Sequence, residues 1–340
     1  MISSPMNRGD RRLKAPSELP AIPLLETGKA GPLALLDAAP RRFGEIIEVS
    51  RRHYGEVALR LGDVVSRRWL DKTANPYRHE IEAVAARAGR PGAHLLNLSY
   101  EWTCTSAVGA DPSGPGNRLL RILDWPLDGL GMNVVVGRQE GEAGPYYNIT
   151  WPGFVGIATA MAPGRFSAAL NQPPIRRFSG SCRLDWAIFR VHVWRNEGLP
   201  PAHLLRLVFD QCQTYAEARS MLRETPLCLP AFFILGGLAA EESCVIERLE
   251  NRAAVGDGPG SAANHWQSLK MPGHPRGEDS VGRWRMMERL RAAAADDFTW
   301  LAPPILNATT KLSVIANAAQ KRLLVQGWET IGPATGVFRL

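Results

Sequence analysis

The stretch Tyr100-Glu101-Trp102-Thr103-Cys104-Thr105-Ser106 leads through the turn Asp111-Pro112-Ser113-Gly114-Pro115-Gly116 to Arg121-Ile122-Leu123-Asp124-Trp125, and it decides how the rest of the chain is read. Gly/Pro punctuation between two apolar, Thr-containing runs predicts adjacent antiparallel strands. Such pairing sets Arg121 and Asp124 beside Cys104. A thiol is mostly protonated at neutral pH and needs a nearby cation or base to act as a nucleophile. An Arg–Asp pair supplies that charge and holds it in place, so the three residues read as one nucleophile with two polar supporters. The plainer alternative is a buried core cysteine.

Outward from this hairpin the chain changes character. Upstream, residues 41–61 have helical spacing, with Phe43, Ile46, Ile47, Tyr54, Val57 and Leu61 on one face, and shorter helices are expected over 79–90 and 92–101. Residues 1–20 are polar and Pro-rich, a flexible leader. Downstream, 104–110, 118–125, 132–137, 146–151, 153–162 and 165–171 read as strands. Helices return, with Leu184, Ala187, Ile188, Val191 and Trp194 forming one apolar face and Leu204, Leu205, Val208 and Phe209 another. A third covers 215–223. Strands resume at 231–237 and 244–248, a helix is expected over 281–295, and 311–316 with 321–326 reads as a closing hairpin. Strands, then helices, then strands predict segregated layers and not βαβ units.

Composition narrows the function. The 340 residues carry 45% hydrophobic residues, enough for a substantial core, and a net charge of +7 owed mainly to arginine. The basic pairs Arg41-Arg42, Arg51-Arg52 and Arg67-Arg68 are scattered among carboxylates and form no run. A solvated helix face is the ordinary reading, and transient attraction to an anionic lipid surface the alternative. No motif supports nucleic-acid binding. The five cysteines, Cys104, Cys182, Cys212, Cys228 and Cys244, include no CxxC pair or metal spacing, so neither a metal nor a cofactor is expected. None precedes Cys104. No segment reads as a signal peptide or a membrane span, which makes the cytoplasm the expected location and the sequons at Asn97, Asn148 and Asn307 chance occurrences.

Several segments, taken in order, resemble one family. Leu95-Leu96-Asn97-Leu98-Ser99-Tyr100-Glu101-Trp102-Thr103-Cys104-Thr105-Ser106 looks like the self-cleavage junction of the acid ceramidase and N-acylethanolamine acid amidase family. These are N-terminal-nucleophile (Ntn) hydrolases, related to bile-salt hydrolase and penicillin V acylase. Arg121-Ile122-Leu123-Asp124-Trp125 resembles the family's Arg-Asn-x-Asp-aromatic strand. The segments 154–164 and 166–171 resemble its central hairpin, Thr225-Pro226-Leu227 and 231–237 its Thr-Pro-Leu and Gly-Gly run, and Asn264-His265-Trp266 its Asn-containing motif. The likeness spans residues 40 to 326.

The resemblance implies an α+β fold, the αββα Ntn sandwich of two antiparallel sheets between helical layers. It further implies self-cleavage between Thr103 and Cys104. Residues 21–103 would form a helical α fragment and 104–340 the catalytic β fragment, held together without a disulfide. The new α-amine then serves Cys104 as base, Arg121 stabilises thiolate, Asp124 orients the amine, and Asn264 or Asn171 donates to the oxyanion. Asn171 alternatively forms a turn before Pro173. A late site arginine is Arg283, with Arg285 the competitor, and Gln172 stands where the family commonly has Glu. His265 reads as a structural or rim residue. The implied activity is a cysteine amidohydrolase acting on an N-acylated small molecule, a fatty-acyl amide in the first instance. Acyl transfer to an amine and an uncleaved, non-catalytic binding protein are the alternatives.

Overall fold

The computed structural model describes residues 19–98, 102–330 and 332–340. The expected leader, apart from its last two residues, and the end of the helix expected over 92–101 lie outside the described residues. The chain opens with β1 (Leu24–Gly28) and the helices α1 (Gly31–Ala38), α2 (Pro40–Tyr54), α3 (Glu56–Lys72), α4 (Arg78–Ala88) and α5 (Ala93–Leu98). Seven strands follow: β2 (Thr103–Ala110), β3 (Asn117–Asp124), β4 (Val135–Gly141), β5 (Gly144–Thr150), β6 (Thr159–Ala162), β7 (Phe166–Asn171) and β8 (Ile175–Arg176). After α6 (Cys182–Arg195), α7 (Pro201–Gln211) and α8 (Tyr215–Glu224) come β9 (Ala231–Gly236), β10 (Ser243–Arg248), β11 (Ala253–Asp257), β12 (Gly260–Ala262) and β13 (Gly273–His274). Helix α9 (Ser280–Leu290) precedes β14 (Thr310–Asn317), β15 (Arg322–Glu329), β16 (Gly332–Pro333) and β17 (Phe338–Arg339).

Two sheets face each other. The larger runs β1-β4-β5-β6-β7-β9-β10-β11 and the smaller β12-β2-β3-β14-β15-β16, with β17 on β15 and β8 pairing β13 apart from both. Pairing is antiparallel except at one edge, where β1 lies parallel to β4. Strands β2 and β3 pack against β7 and β9 of the other sheet, α7 and α8 cover the larger sheet, and α9 covers the smaller. The order helix, sheet, sheet, helix is the one expected.

Alternation along β2 and β3 sorts their side chains between two cores. Cys104, Val108, Leu119 and Leu123 face the larger sheet and join the main apolar cluster. Ala107, Leu120 and Ile122 face outward, under Met287 of α9 and Phe298. The inner positions therefore lie between the sheets, where water is excluded.

Two expectations fail on helix geometry. The single helix over 41–61 is broken between α2 and α3 at Gly55, whose φ of +80° ends one helix and starts the next. Phe43, Ile46 and Tyr54 reach the main core, but beyond the break Val57 and Leu61 are 72% and 65% exposed. In α6 the expected apolar face points to solvent: Leu184, Ile188 and Val191 are exposed, whereas Asp185, Phe189, Arg190 and Val193 are buried. A 2.7 Å contact between Asp185 and His274 of β13 fixes that rotation. The strand expected over 153–162 is reduced to β6.

The N-terminal helices are joined to α7 and the larger sheet by a partly buried polar clamp. Arg206 of α7 donates to both carboxylate oxygens of Glu80 at 2.7 and 2.9 Å, and its guanidinium lies 4.1 Å from the centre of the Tyr77 ring. Tyr77 and Tyr146 both donate to Asp210, at 2.9 and 2.7 Å. Asn97 accepts from the Val155 amide at 2.7 Å and donates to the Gly153 carbonyl at 2.9 Å. Asn97 and Asn148, two of the three sequon asparagines, are buried.

Candidate active site

The β2–β3 register sets the geometry of the site. Thr103 pairs with Asp124, Cys104 with Leu123 and Ser106 with Arg121. Both charged residues thus lie near Cys104 as expected, but on opposite faces of the sheet, because they are three positions apart on a strand of period two. The expected Arg121–Asp124 pair does not form. Among the described residues, the cation that pairs with Asp124 is Arg283, at 3.7 Å.

The thiol lies on the inner face. Cys104 is fully buried, with Sγ 3.8 Å from the Leu170 carbonyl of β7. Burial pushes the thiol up to about 11, opposed first by the positive charge of Arg121. Arg121 donates through Nη1 to Ser106 Oγ at 3.2 Å and to Asn171 Oδ1. Its Nε and Nη2 have no hydrogen-bond partner among the described residues. A buried cation so thinly satisfied is costly, which makes it a candidate for work beyond packing. Asn171 does not serve as a turn residue. It is buried, accepts from Ser106 at 2.8 Å, and spends its amide protons on the carbonyls of Ala262 (2.9 Å) and Ala263 (3.4 Å).

The main chain of Cys104 is held from elsewhere. Its N–H donates to Asn264 Oδ1 at 2.9 Å, and its carbonyl accepts from Arg283 Nη1 at 2.8 Å. Arg283 also donates to Thr105 Oγ1 (2.9 Å), Asn264 Oδ1 (3.0 Å) and the Glu278 carbonyl (2.9 Å). It is buried, whereas Arg285 is exposed, so of the two late arginines Arg283 is the one at Cys104. The Asn264 amide nitrogen donates to the Gln172 carbonyl at 2.6 Å, so its donor group is engaged there. The contact at position 172 comes from the backbone, which any residue provides. His265 lies apart, half-buried, with Nδ1 2.8 Å from Ser280 Oγ.

Asp124 is buried with one oxygen accepting from Thr310 Oγ1 at 2.8 Å. Desolvation raises its pKa, opposed first by Arg283 and then by the hydrogen bonds from Thr310 and Asn307. Thr310 escaped the sequence reading. Its β14 strand pairs with β3 from far along the chain, and a register shift between Thr310 and Leu312 leaves Thr310 opposite Asp124. Ser106 carried a readable signal, since it follows Cys104 by one strand period.

A cavity of 570 Å³ opens onto this group, lined by Thr103, Asp124, Gln172 and Arg283 on one side and by Trp186 and Phe189 on the other. Next to Thr103, Trp102 stacks edge-on against Trp125 with ring centres 5.3 Å apart. Among the described residues no cluster of His, Cys, Asp or Glu is arranged to hold a metal ion. The site can therefore present a thiol beside a buried cation, with the adjoining peptide nitrogen separately anchored.

Over 203 residues the chain is 27% identical to the acid ceramidase of Bos taurus, covering 53% of this chain and 49% of that protein. The acid ceramidase of Homo sapiens gives 28% over 205 residues, with the same coverage. The chain is similar to acid ceramidase. It spans about half the length of the curated relatives it matches. Among solved structures, the Caenorhabditis elegans N-acylethanolamine-hydrolyzing acid amidase ortholog superposes with a TM-score of 0.50 at 20% identity, over 64% of this chain and 93% of that one. The shared architecture is the Ntn-hydrolase sandwich. No protein-family model matches the chain.

Proposed function

We propose that the protein is a self-processing cysteine amidohydrolase that cleaves an N-acylated small molecule, in the first instance a fatty-acyl amide. The observation that carries this reading is the treatment of Cys104. Its nitrogen is anchored by Asn264, its carbonyl by Arg283, and its thiol is confined beside the buried Arg121. In a plain core strand a neighbouring strand's backbone would satisfy that nitrogen and carbonyl, whereas here two buried polar side chains do so. The similarity to acid ceramidase over half the chain points the same way.

In the first step Sγ attacks the Thr103 carbonyl carbon. The Thr103–Cys104 C–N bond breaks, the nitrogen takes up a proton, and water hydrolyses the resulting thioester. The fragments are 1–103 and 104–340. The freed α-amine, with an ordinary pKa of about 7.7–8.0, is then a base close to its own thiol. Asp124 and Asn264 orient that amine, and Arg121 stabilises thiolate. Asn264 becomes an oxyanion donor only if its amide leaves the Gln172 carbonyl after the chain is cut. With substrate, Cys104 forms an acyl thioester, releases the amine, and yields the acid to water.

The exposed apolar faces of α3 and α6 suit a lipid-dispersed substrate. Val57 and Leu61 share α3 with the exposed Arg67 and Arg68, Ile188 and Val191 share α6 with Arg195, and Trp186 joins the α6 face to the cavity. This face would meet an anionic lipid surface, and Leu61→Glu with Ile188→Glu should weaken sedimentation with anionic vesicles.

The decisive experiment is intact mass of purified protein together with fatty-acid release from an amide. The expected result is two fragments meeting at Thr103/Cys104, with Cys104→Ala remaining full length and inactive. A wild-type chain that stays uncut yet hydrolyses amides would sink the mechanism.

A further inference from the structure

Asn264 and Arg283 hold the nitrogen and the carbonyl of Cys104 from two different segments, and Ser280 ties those segments together. It is the first residue of α9, within one turn of Arg283. Serine near a helix start ordinarily serves as its cap, but here the cap is Asp279, whose carboxylate accepts from the Gly282 N–H at 2.9 Å. The Ser280 hydroxyl is engaged elsewhere. Its Oγ accepts from the Asn264 N–H at 2.8 Å and lies 2.8 Å from His265 Nδ1, and among the described residues it has no other hydrogen-bond partner.

A hydroxyl has one proton to give. With the Asn264 N–H already directed at Oγ, that proton goes to His265 Nδ1, which leaves the imidazole neutral and protonated at Nε2. An oxygen that donates onward is a stronger acceptor, so this chain tightens the main chain of Asn264, whose Oδ1 takes the Cys104 N–H at 2.9 Å. Protonation of the ring reverses the arrangement. Imidazolium donates from both nitrogens, so Oγ then faces two donors and its own proton loses its acceptor. Burial beside the edge-on Trp284 ring, 5.7 Å away, lowers the pKa of His265. Charge reaches the ring from two elements. Glu247 of β10 favours the proton, although its oxygens already accept the amides of Gln267, Ser268 and Leu269, and Arg283 of α9 opposes it. We propose that His265 and Ser280 are positioning residues: the neutral imidazole fixes the hydroxyl that holds Asn264, and a proton on His265 loosens the anchor of Cys104 as pH falls. This rests on the amidohydrolase reading and gives its site a pH-dependent support.

The test has two arms. In the uncut Cys104→Ala chain, proton–nitrogen correlation NMR of the histidine rings reads the tautomer, with the His265 signals identified as those lost in His265→Asn. Neutral His265 should hold its proton on Nε2, and a proton resident on Nδ1 overturns the proposal. In the second arm, kcat and KM of self-processed protein are followed with lauroyl p-nitroanilide from about pH 8 to about pH 5, on either side of the ordinary imidazole value of about 6.5. His265→Asn offers the Ser280 hydroxyl an amide oxygen that takes up no proton. Its kcat relative to wild type should therefore rise by about threefold to tenfold as pH falls, about what one hydrogen bond contributes, with KM moving alike in both. Ser280→Ala should lower kcat by about the same factor, Ser280→Thr should recover it, and in a Ser280→Ala background the effect of His265→Asn should be flat with pH. A kcat ratio that stays flat in the wild-type background overturns the proposal, as does Ser280→Ala turning over like wild type. If Ser280→Ala fails to fold, the tautomer and the His265→Asn ratio decide. Wild-type protein that hydrolyses no fatty-acyl amide overturns the amidohydrolase reading, and this inference falls with it.

Discussion

Replacing Asn264 by alanine tests the site where its geometry is most constrained. The side chain is buried and joins three groups: the Cys104 N–H at 2.9 Å, Arg283 Nη2 at 3.0 Å and the Gln172 carbonyl at 2.6 Å. Leaving a buried partner unsatisfied costs about 1–3 kcal/mol. With water admitted to part of the space, a stability loss of about 3 kcal/mol is expected, measured by urea unfolding of the Cys104→Ala and Cys104→Ala/Asn264→Ala chains so that both remain uncut. The rate effect is separate. If the amide nitrogen donates to the tetrahedral oxyanion in the processed enzyme, its loss lowers kcat by roughly 10²–10³ with little change in KM. Self-cleavage should also slow, because the anchor of the Cys104 nitrogen is lost, so the amidase assay must use protein whose cleavage is complete by intact mass. Asn264→Ala that processes and turns over within about threefold of wild type would refute the reasoning. A loss confined to KM would move Asn264 to substrate binding.

Arg121→Met should lower amidase turnover by about 10²-fold or more, because the cation nearest the thiol is removed; near-normal turnover in folded, processed protein would reduce Arg121 to a structural role. Arg283→Gln should slow self-cleavage severely while Arg285→Gln processes at the normal rate, read as the fraction cut against time after translation, since only the first touches Cys104. Asp124→Asn should be relatively more stable as pH rises: the buried carboxyl titrates above its unfolded value, so the native wild type holds a proton that the unfolded chain has lost, and wild-type stability falls from about pH 4 upward. Thermal unfolding in a Cys104→Ala background checks it, and a wild-type advantage that grows with pH would contradict it.

The hairpin was legible because its information is local. The turn over 111–116 and the apolar runs beside it specify β2 and β3, and their register carries Cys104, Arg121 and Asp124 with it. The partner of Asp124 was not legible as such, since Arg283 arrives from α9 and only the whole fold brings it there. Thr310 was invisible for the same reason. The rotation of α6 misled in a different way: its apolar spacing is real, but a buried carboxylate joined to His274 outweighs it, and the apolar stripe is left outside. At α3 the spacing continued through a glycine whose positive φ ends the helix, a change of direction that periodicity does not register.

Because Arg121 and Asp124 sit three residues apart on one strand, the side chain and the main chain of Cys104 are held from separate compartments. Arg121, held by Ser106 and Asn171, lies on the sulfur's side, between the sheets. Asn264 and Arg283, with Asp124 and Thr310, control the nitrogen and carbonyl from the helix side. The hydrogen bonds of the two groups do not overlap, although the charges of Asp124 and Arg283 reach the thiol as well. On the proposed mechanism, exchanging the nucleophile for serine or threonine is therefore an inner-compartment problem. The anchoring of the main chain can be kept intact while the chemistry of the side chain is rebuilt.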